Sequence, residues 1–315
     1  MRWIWHAMAV WAVASGLTAA VARGDCGGCA PTGHLGVALK AVQGGLETGV
    51  YVFDETNPAT VDVGVRVWGG QPFQINPFDP YWTDLPCYGA TTDSGLPPGS
   101  MVGFNILDDL KYWDGQGTVQ FGPVPSNEKL IIRYGFNKRC AATGTGFVAG
   151  FNFQTVPTDG AFHRHLSYYL AGPNDDCTTV PPALTVPPAD GIYLLKLQMT
   201  STAGLAASQP IWLVFRNFPP ERQDKENLHC MALLWVAHRL AVDRPRADLD
   251  FDRDVDVDDL ARLEACASGP GVPYGEPCCS AADLDDDGDV DMTDFGVWQR
   301  CHSGAGRTAA VDCGS

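Results

Sequence analysis

Residues 282–295 read ADLDDDGDVDMTDF, and residues 247–260 read ADLDFDRDVDVDDL. The two stretches align with an offset of 35 residues, and both place aspartates around a central valine. The same offset carries Cys266 onto Cys301. A repeat of this kind marks a duplicated structural unit, so the C-terminal part of the chain is predicted to hold two copies of one small motif.

The aspartates of each copy have the spacing of a calcium-binding loop. Calcium takes six to eight oxygen ligands, and a loop of about twelve residues supplies them from positions 1, 3, 5, 7, 9 and 12. Position 7 contributes its backbone carbonyl. In the second loop these positions hold Asp283, Asp285, Asp287, Asp289, Asp291 and Asp294. In the first loop they hold Asp248, Asp250, Asp252, Asp254, Asp256 and Asp259. We therefore expect two Ca²⁺ sites.

One turn residue distinguishes the two loops. The second loop has Gly288 at position 6, where the chain turns sharply, and the first loop has Arg253 there. A residue other than glycine must adopt a left-handed conformation at this point, at a cost of about 1 kcal/mol. The second site is therefore predicted to bind calcium more strongly than the first.

The net charge of the chain is concentrated in this region. Residues 243–294 contain 17 acidic and four basic residues, and so carry −13 of the formal charge of −16. Such a charge density repels itself unless a cation neutralises it, and its sign excludes nucleic acid as a partner. The pattern favours a metal ion over a solvated acidic tail.

Each loop is followed by a predicted helix, over residues 257–265 and 292–300. The duplicated loop-and-helix pattern of residues 247–305 resembles type I dockerin modules. The resemblance implies a small α-helical domain of paired EF-hand-type loops. Such a domain folds with Ca²⁺ and docks a secreted bacterial protein onto a cohesin-like or other cell-surface partner. The sequence departs from dockerins at loop positions 10 and 11, which in dockerins contact the partner. Here these positions hold Val257-Asp258 and Met292-Thr293.

The first residues predict export from the cytoplasm. Residues 1–22 combine a basic start, an apolar run and the small residues Ala20 and Ala22, as is typical of a cleaved signal peptide. No later segment reaches the roughly 20 apolar residues that span a bilayer. We expect a secreted or cell-surface protein.

The chain has eleven cysteines, which favours a compartment where disulfides persist. Because the number is odd, one thiol is free or pairs with another chain. Within the repeats, the spacing suggests one disulfide per copy. The predicted pairs are Cys26–Cys29, Cys266–Cys278, Cys301–Cys313 and Cys230–Cys279, and a rival pairing joins Cys279 to Cys301.

Residues 23–220 have a different sequence pattern, in which short runs of alternating apolar residues lie between Gly- and Pro-rich turns. The period of two recurs at residues 61–67, 193–199 and 211–215, and predicts strands of an antiparallel β-sandwich. A helix is predicted over residues 228–242. The predicted fold is thus mainly β, followed by a small α-helical dockerin-like domain. The predicted order is a signal peptide (1–22), a β-sandwich (23–220), a helical connector (221–246) and a calcium-binding module (247–315).

Two histidines in the β-rich region form a candidate metal site. In the run of residues 162–166, His163 and His165 project from the same face of a predicted strand, close enough to share one zinc ion. The alternative is a pair of strand histidines that only form hydrogen bonds. Residues 151–215 also resemble a secreted bacterial sandwich found in zinc-regulated and surface-anchored proteins, which implies a surface metal-handling role.

The sequence contains no nucleophile elbow, phosphate-binding loop or zinc-protease helix, and its catalytic residues are unknown. Asp108, Asp109 and Asp114 lie among aromatic residues but are expected to be surface turn residues. The leading hypothesis is a non-catalytic binding or display domain joined to a calcium-dependent docking module. One alternative is a glycoside hydrolase in polysaccharide degradation, because dockerin-like tails often accompany such enzymes, and another is the metal-handling protein.

Overall fold

The computed structural model describes residues 35–52, 59–61, 64–70, 73, 81–242, 244–250 and 253–314. The predicted signal peptide, Cys26, Cys29 and Asp252 lie outside these residues. The first strands are β1 Leu35–Val42, β2 Gly45–Val52, β3 Ala59–Val61, β4 Val67–Gly69, β5 Trp82–Thr83, β6 Cys87–Ala90, β7 Met101–Ile106 and β8 Lys111–Trp113. The others are β9 Gly122–Pro123, β10 Lys129–Tyr134, β11 Asn137–Ala141, β12 Asn152–Thr155, β13 Phe162–Arg164, β14 Ser167–Ala171, β15 Gly191–Ser201 and β16 Ile211–Asn217. The α-helices are α1 Lys225–Val236, α2 Val257–Cys266 and α3 Met292–Cys301.

The strands form three sheets, so the chain is mainly β, as predicted. The first sheet has the order β13-β6-β1-β2-β3, and the second has the order β11-β10-β14-β5. The third has the order β12-β7-β15-β16-β4, with β8 paired to β15 and β9 paired to β8. Most neighbours are antiparallel, but β1 with β6 and β16 with β4 are parallel. The expectation of a purely antiparallel arrangement was therefore wrong at two pairs.

One hydrophobic core joins the three sheets. The alternation in β15 buries Tyr193, Leu195 and Met199 completely, as the sequence predicts for one face of a strand. Across this core the hydroxyls of Tyr88 and Tyr168 lie 2.7 Å apart and share a hydrogen bond. Because each phenol has a partner, both rings can be buried without leaving a polar group unsatisfied.

The predicted alternating strand at residues 61–67 is interrupted. Gly64 has a backbone φ of +100°, and its N–H donates to the carbonyl of Thr48 at 2.7 Å. The chain turns at this glycine, so β3 joins the first sheet and β4 joins the third. A sequence period of two indicates which side chains face the core. It does not indicate whether the backbone runs straight between them.

The predicted connector helix is part of the β-rich body. Helix α1 begins at Lys225, three residues before the prediction, and continues as a π-helical segment, Ala237–Ala241. Its residues Leu228, Met231 and Val236 form a second core with apolar side chains of β15 and β16 on the other face of the third sheet. His229 is buried and bonds through Nε2 to the Val214 carbonyl at 2.8 Å.

The C-terminal region has its own small core. Helices α2 and α3 begin where the sequence predicts, each with a capping box formed by loop positions 9 and 12. Leu249 and Val255 of the first copy pack in one cluster with Leu284 and Val290 of the second. Among the described residues, no helix is both long enough and apolar enough to cross a membrane.

The disulfides agree with the sequence in part. Cys301–Cys313 forms as predicted, but Cys266 pairs with Cys279, so both the predicted Cys266–Cys278 pair and the pairings of Cys279 to Cys230 or Cys301 were wrong. The adjacent residues 278 and 279 share the 3-10 helix Pro277–Ala281, and spacing alone could not choose between them. Cys140 pairs with Cys177, and among the cysteines whose side chains the structure describes Cys87 is free and buried.

Candidate functional site: two acidic loops and a thiol–imidazole cluster

The second acidic loop gathers three carboxylates around one point. Asp283, Asp285 and Asp294, at loop positions 1, 3 and 12, each place a carboxylate oxygen within 4.8 Å of the other two. Asp294 is fully buried and Asp283 is buried. Burial raises the pKa of both carboxyl groups, because removing a carboxylate from water disfavours its charged form.

Backbone N–H groups hold these carboxylates in position. Asp294 Oδ1 accepts from the N–H of Leu284 at 2.6 Å, and its Oδ2 accepts from the N–H of Asp291 at 2.7 Å. Asp283 accepts from the N–H of Asp287 at 3.1 Å and from that of Gly288 at 3.0 Å. The loop is therefore wound around its first and last carboxylates, which leaves their remaining lone pairs for a cation.

The first acidic loop repeats this arrangement. Asp248, Asp250 and Asp259 bring their carboxylate oxygens within the same 4.8 Å of one another. Asp259 Oδ1 accepts from the N–H of Leu249 at 2.5 Å, and the Arg253 N–H donates to Asp248 at 3.1 Å. Burial raises the pKa of Asp259 to about 7, and the nearby Asp250 and Asp248 act in the same direction.

A buried cation distinguishes the first loop from the second. The guanidinium of Arg244 lies 3.4 Å from Asp248 Oδ2, and both side chains are almost entirely shielded from solvent. The Arg244 guanidinium contacts one oxygen of Asp248, the aspartate at loop position 1. Its positive charge also repels a metal ion at that carboxylate. This contact was not predicted from the sequence, although Arg244 stands four residues before Asp248.

The remaining aspartates of the pattern that the structure describes have structural partners. Asp256 and Asp291, at position 9, cap α2 and α3 by accepting from the N–H groups two residues further on, at 2.8 and 2.7 Å. Asp254 and Asp289, at position 7, accept from the N–H groups of glycines in the segments that follow α3 and α2. Asp287, at position 5, accepts from the N–H of position 7 at 3.1 Å. The structure thus brings the position 1 and 3 aspartates of each loop within 4.8 Å of the position 12 aspartate, and likewise those of positions 7 and 9.

Each loop is braced by the chain that follows the other copy's helix. The Val290 carbonyl accepts from the N–H of Ser268 at 2.9 Å, and the Val290 N–H donates to Ser268 Oγ at 3.0 Å. Val255 and Ser303 make the same two contacts, at 2.9 and 3.0 Å. Because the bracing is reciprocal, ordering of either loop supports the other.

The second loop also contacts the helix that leads into the region. Asp286, at the non-ligand position 4, accepts two hydrogen bonds from the Arg246 guanidinium at 2.8 and 2.9 Å, and a further bond from Arg239. Beside these contacts lies a cleft of about 550 Å³, whose lining includes Trp235 of α1, Tyr274 of the segment after α2, and Asp287 of the second loop. The acidic loops are therefore attached to the β-rich body by charge as well as by the chain.

The two predicted zinc ligands lie together with a third residue. His163 and His165 have ring centroids 4.7 Å apart, and Cys87 contributes a sulfur within 4.8 Å of a ring nitrogen of each. Burial raises the pKa of the Cys87 thiol to about 12. Cys87 was not predicted as a ligand, because it lies 76 residues before His163 in the chain.

The aspartates considered for catalysis stabilise turns instead. Asp109 accepts from the N–H groups of Gly146 and Gly144 at 2.7 and 2.8 Å. Asp114 accepts from the Gln116 N–H at 2.8 Å, and Asp108 lies 3.6 Å from the Lys111 ammonium. Each of the three carboxylates thus has a backbone or lysine partner.

Comparisons with known proteins give no family for this chain. A scan against protein-family models finds no match. A search of the curated proteins finds no match either. The functional proposal therefore rests on the geometry of the acidic loops.

Proposed function

We propose that residues 247–305 form a calcium-dependent docking module of a secreted protein, and that the β-rich body is a non-catalytic binding or display domain. The observation that carries this proposal is the position of Asp259 and Asp294. Both are fully buried, and each gathers two further carboxylates within 4.8 Å. Three carboxylates at this separation, two of them buried, repel one another, so a dication between them stabilises the fold.

The spacing of the oxygens suits calcium. Protein oxygens lie 2.3–2.6 Å from Ca²⁺, so two ligands on opposite sides of one ion are about 4.8 Å apart. The carboxylate oxygens of each triad fall within that limit. Carboxylate and carbonyl oxygens are hard ligands, and the triads offer neither nitrogen nor sulfur, which favours Ca²⁺ over softer metals.

The covalent cross-links support a secreted location. Cys140–Cys177, Cys266–Cys279 and Cys301–Cys313 are disulfides, which persist in oxidising compartments outside the cytoplasm. Two of the three disulfides involve Cys266 and Cys301, which are the last residues of α2 and α3. They therefore limit how far the module can expand when calcium is absent.

A docking role is supported by two exposed apolar residues. Val257 and Met292, at loop position 10 of the two copies, leave 65% and 72% of their surface exposed at the starts of α2 and α3. In dockerins, positions 10 and 11 contact the partner. Exposed apolar side chains repeated at equivalent places in a duplicated unit are suited to a partner surface on a cohesin-like or other cell-surface protein.

Calorimetric titration of the full chain with Ca²⁺ tests the metal assignment. We expect two sites in the wild type, and loss of one site each in Asp259→Asn and Asp294→Asn. Asp258→Asn is the matched control, because Asp258 is an exposed neighbour at the non-ligand position 11. Two sites remaining in either ligand variant, or no binding to the wild type, would overturn the proposal.

A further inference from the structure

A second cluster of metal-ligating side chains lies on the first sheet. Strand β13 pairs with β6 so that His163 stands opposite Gly89, and β1 pairs with β6 so that Gly36 stands opposite Cys87. The sulfur of Cys87 and one ring nitrogen each of His163 and His165 all lie within 4.8 Å of one another. Neighbouring strands thus bring together one thiol and two imidazoles.

Two glycines make room for this cluster. A Cβ atom on Gly36 would lie 2.3 Å from the Cys87 sulfur, and one on Gly89 would lie 2.6 Å from the Tyr51 ring. The Tyr51 ring in turn stacks on His163, with centroids 5.6 Å apart and an interplanar angle of 29°. Glycine at these two positions lets the Cys87 thiol and the Tyr51 ring lie close against the sheet, beside the histidines. A larger residue at either position would displace them.

Asp84 orients the imidazole ring of His165. His165 Nδ1 lies 3.1 Å from the Asp84 carbonyl oxygen and 3.3 Å from Asp84 Oδ2. An Nδ1–H that donates to these oxygens leaves the lone pair on Nε2. Metal-binding histidines commonly donate their second N–H to a carboxylate or carbonyl in this manner, which fixes the ring and raises its basicity.

We propose that Cys87, His163 and His165 bind one divalent cation of the zinc class through a thiolate and two imidazole nitrogens. Sulfur and imidazole ligands select borderline-soft metals such as Zn²⁺, whereas the acidic loops offer only oxygen. Bond lengths of about 2.0 Å to nitrogen and 2.3 Å to sulfur require small rotations of side chains that already lie within 4.8 Å of one another.

The described residues supply three ligands, and the fourth position of a tetrahedral ion falls to a further ligand. Cys87 is fully buried, while His163 and His165 are half-buried, so a metal or a fourth ligand reaches the cluster from the histidine side. This site is separate from the acidic loops and does not depend on their function.

Titration of the full chain with Co²⁺ in excess Ca²⁺ tests the proposal, because cobalt replaces zinc and absorbs light. We expect one Co²⁺ per chain, a thiolate-to-cobalt charge-transfer band in the near ultraviolet, and loss of both on addition of one equivalent of Zn²⁺. Absence of the thiolate band would contradict the proposal, since cobalt held only by oxygen or nitrogen lacks it.

Variants assign the ligands. Cys87→Ser should remove the thiolate band, and His165→Gln should lower the Co²⁺ affinity roughly tenfold or more. His302→Gln is the matched control, because His302 is exposed and lies on α3's C-terminal side. An unchanged band in Cys87→Ser overturns the proposal. If Cys87→Ser does not fold, the His165→Gln variant is the test, because His165 is half-buried. An unchanged Co²⁺ affinity in His165→Gln then overturns the proposal.

Discussion

Arg253 and Gly288 occupy the same turn position of the two loops, with backbone φ angles of 77° and 95°. The left-handed conformation predicted for Arg253 is therefore present. It costs an arginine about 1 kcal/mol that glycine does not incur. Because both N–H groups donate to the position 1 aspartate, the penalty falls on the segment that winds around that carboxylate.

The variant Arg253→Gly should strengthen calcium binding at the first loop. Relief of about 1 kcal/mol corresponds to roughly a fivefold higher affinity. The Arg253 guanidinium also lies against Gly64 of the β-rich body, so Arg253→Ala is the control that removes the side chain but keeps the backbone penalty. Calorimetric titration should show a higher first-site affinity for the glycine variant than for the alanine variant. Equal affinities would exclude backbone strain as the cause.

The two position 1 aspartates should differ in what their removal costs. Asp283→Ala should lose more calcium affinity than Asp248→Ala, because the first site is already weakened by Arg253 and Arg244. Calorimetric titration with Ca²⁺ measures both losses, and equal losses of calcium affinity would contradict the ranking.

Burial of His229 should make the body sensitive to acid. Burial lowers the pKa of His229 from 6.5 to about 4, and the nearby Arg216 acts in the same direction. Because the unfolded state takes up the proton more readily, the free energy of unfolding should fall as pH drops from about 6.5 towards 4. The loss should approach about 3 kcal/mol.

Replacement of His229 by glutamine isolates this effect. Glutamine is neutral and can donate to the same Val214 carbonyl, so His229→Gln should lack this part of the pH dependence. Urea unfolding of both proteins at pH 7 and pH 4.5 measures the contribution of His229. The carboxylates of the acidic loops titrate in both proteins, so their effect cancels in the comparison. A wild type and a variant that lose the same stability on acidification would count against a neutral His229.

The parts of the site that could be predicted are local in sequence. The carboxylates of the second loop fall within twelve residues, so their spacing alone indicates convergence. The helix starts were equally predictable, because Asp256 and Asp291 are N-cap residues followed three positions later by another acidic residue. Strand β15 was predictable from its period of two.

The parts that could not be predicted depend on contacts between distant segments. Ser268 and Ser303 were recognisable as repeat equivalents, but nothing local indicated that each braces the loop of the other copy. Cys87 meets His163 only because β6 and β13 are neighbours in a sheet whose strand order does not follow the chain. The choice of Cys279 over its neighbour as the partner of Cys266 likewise depends on how the 3-10 helix faces α2.

Hydrogen exchange of the two amides that bond to the buried position 12 carboxylates tests the central claim most directly. The N–H groups of Leu249 and Leu284 donate to Asp259 and Asp294, and should be protected only while those carboxylates are held in place by a cation. We expect strong protection in millimolar Ca²⁺ and rapid exchange in EDTA, while the amide of Leu195 in β15 stays protected in both. Equal protection of Leu249 and Leu284 in calcium and in chelator would contradict a calcium-dependent module.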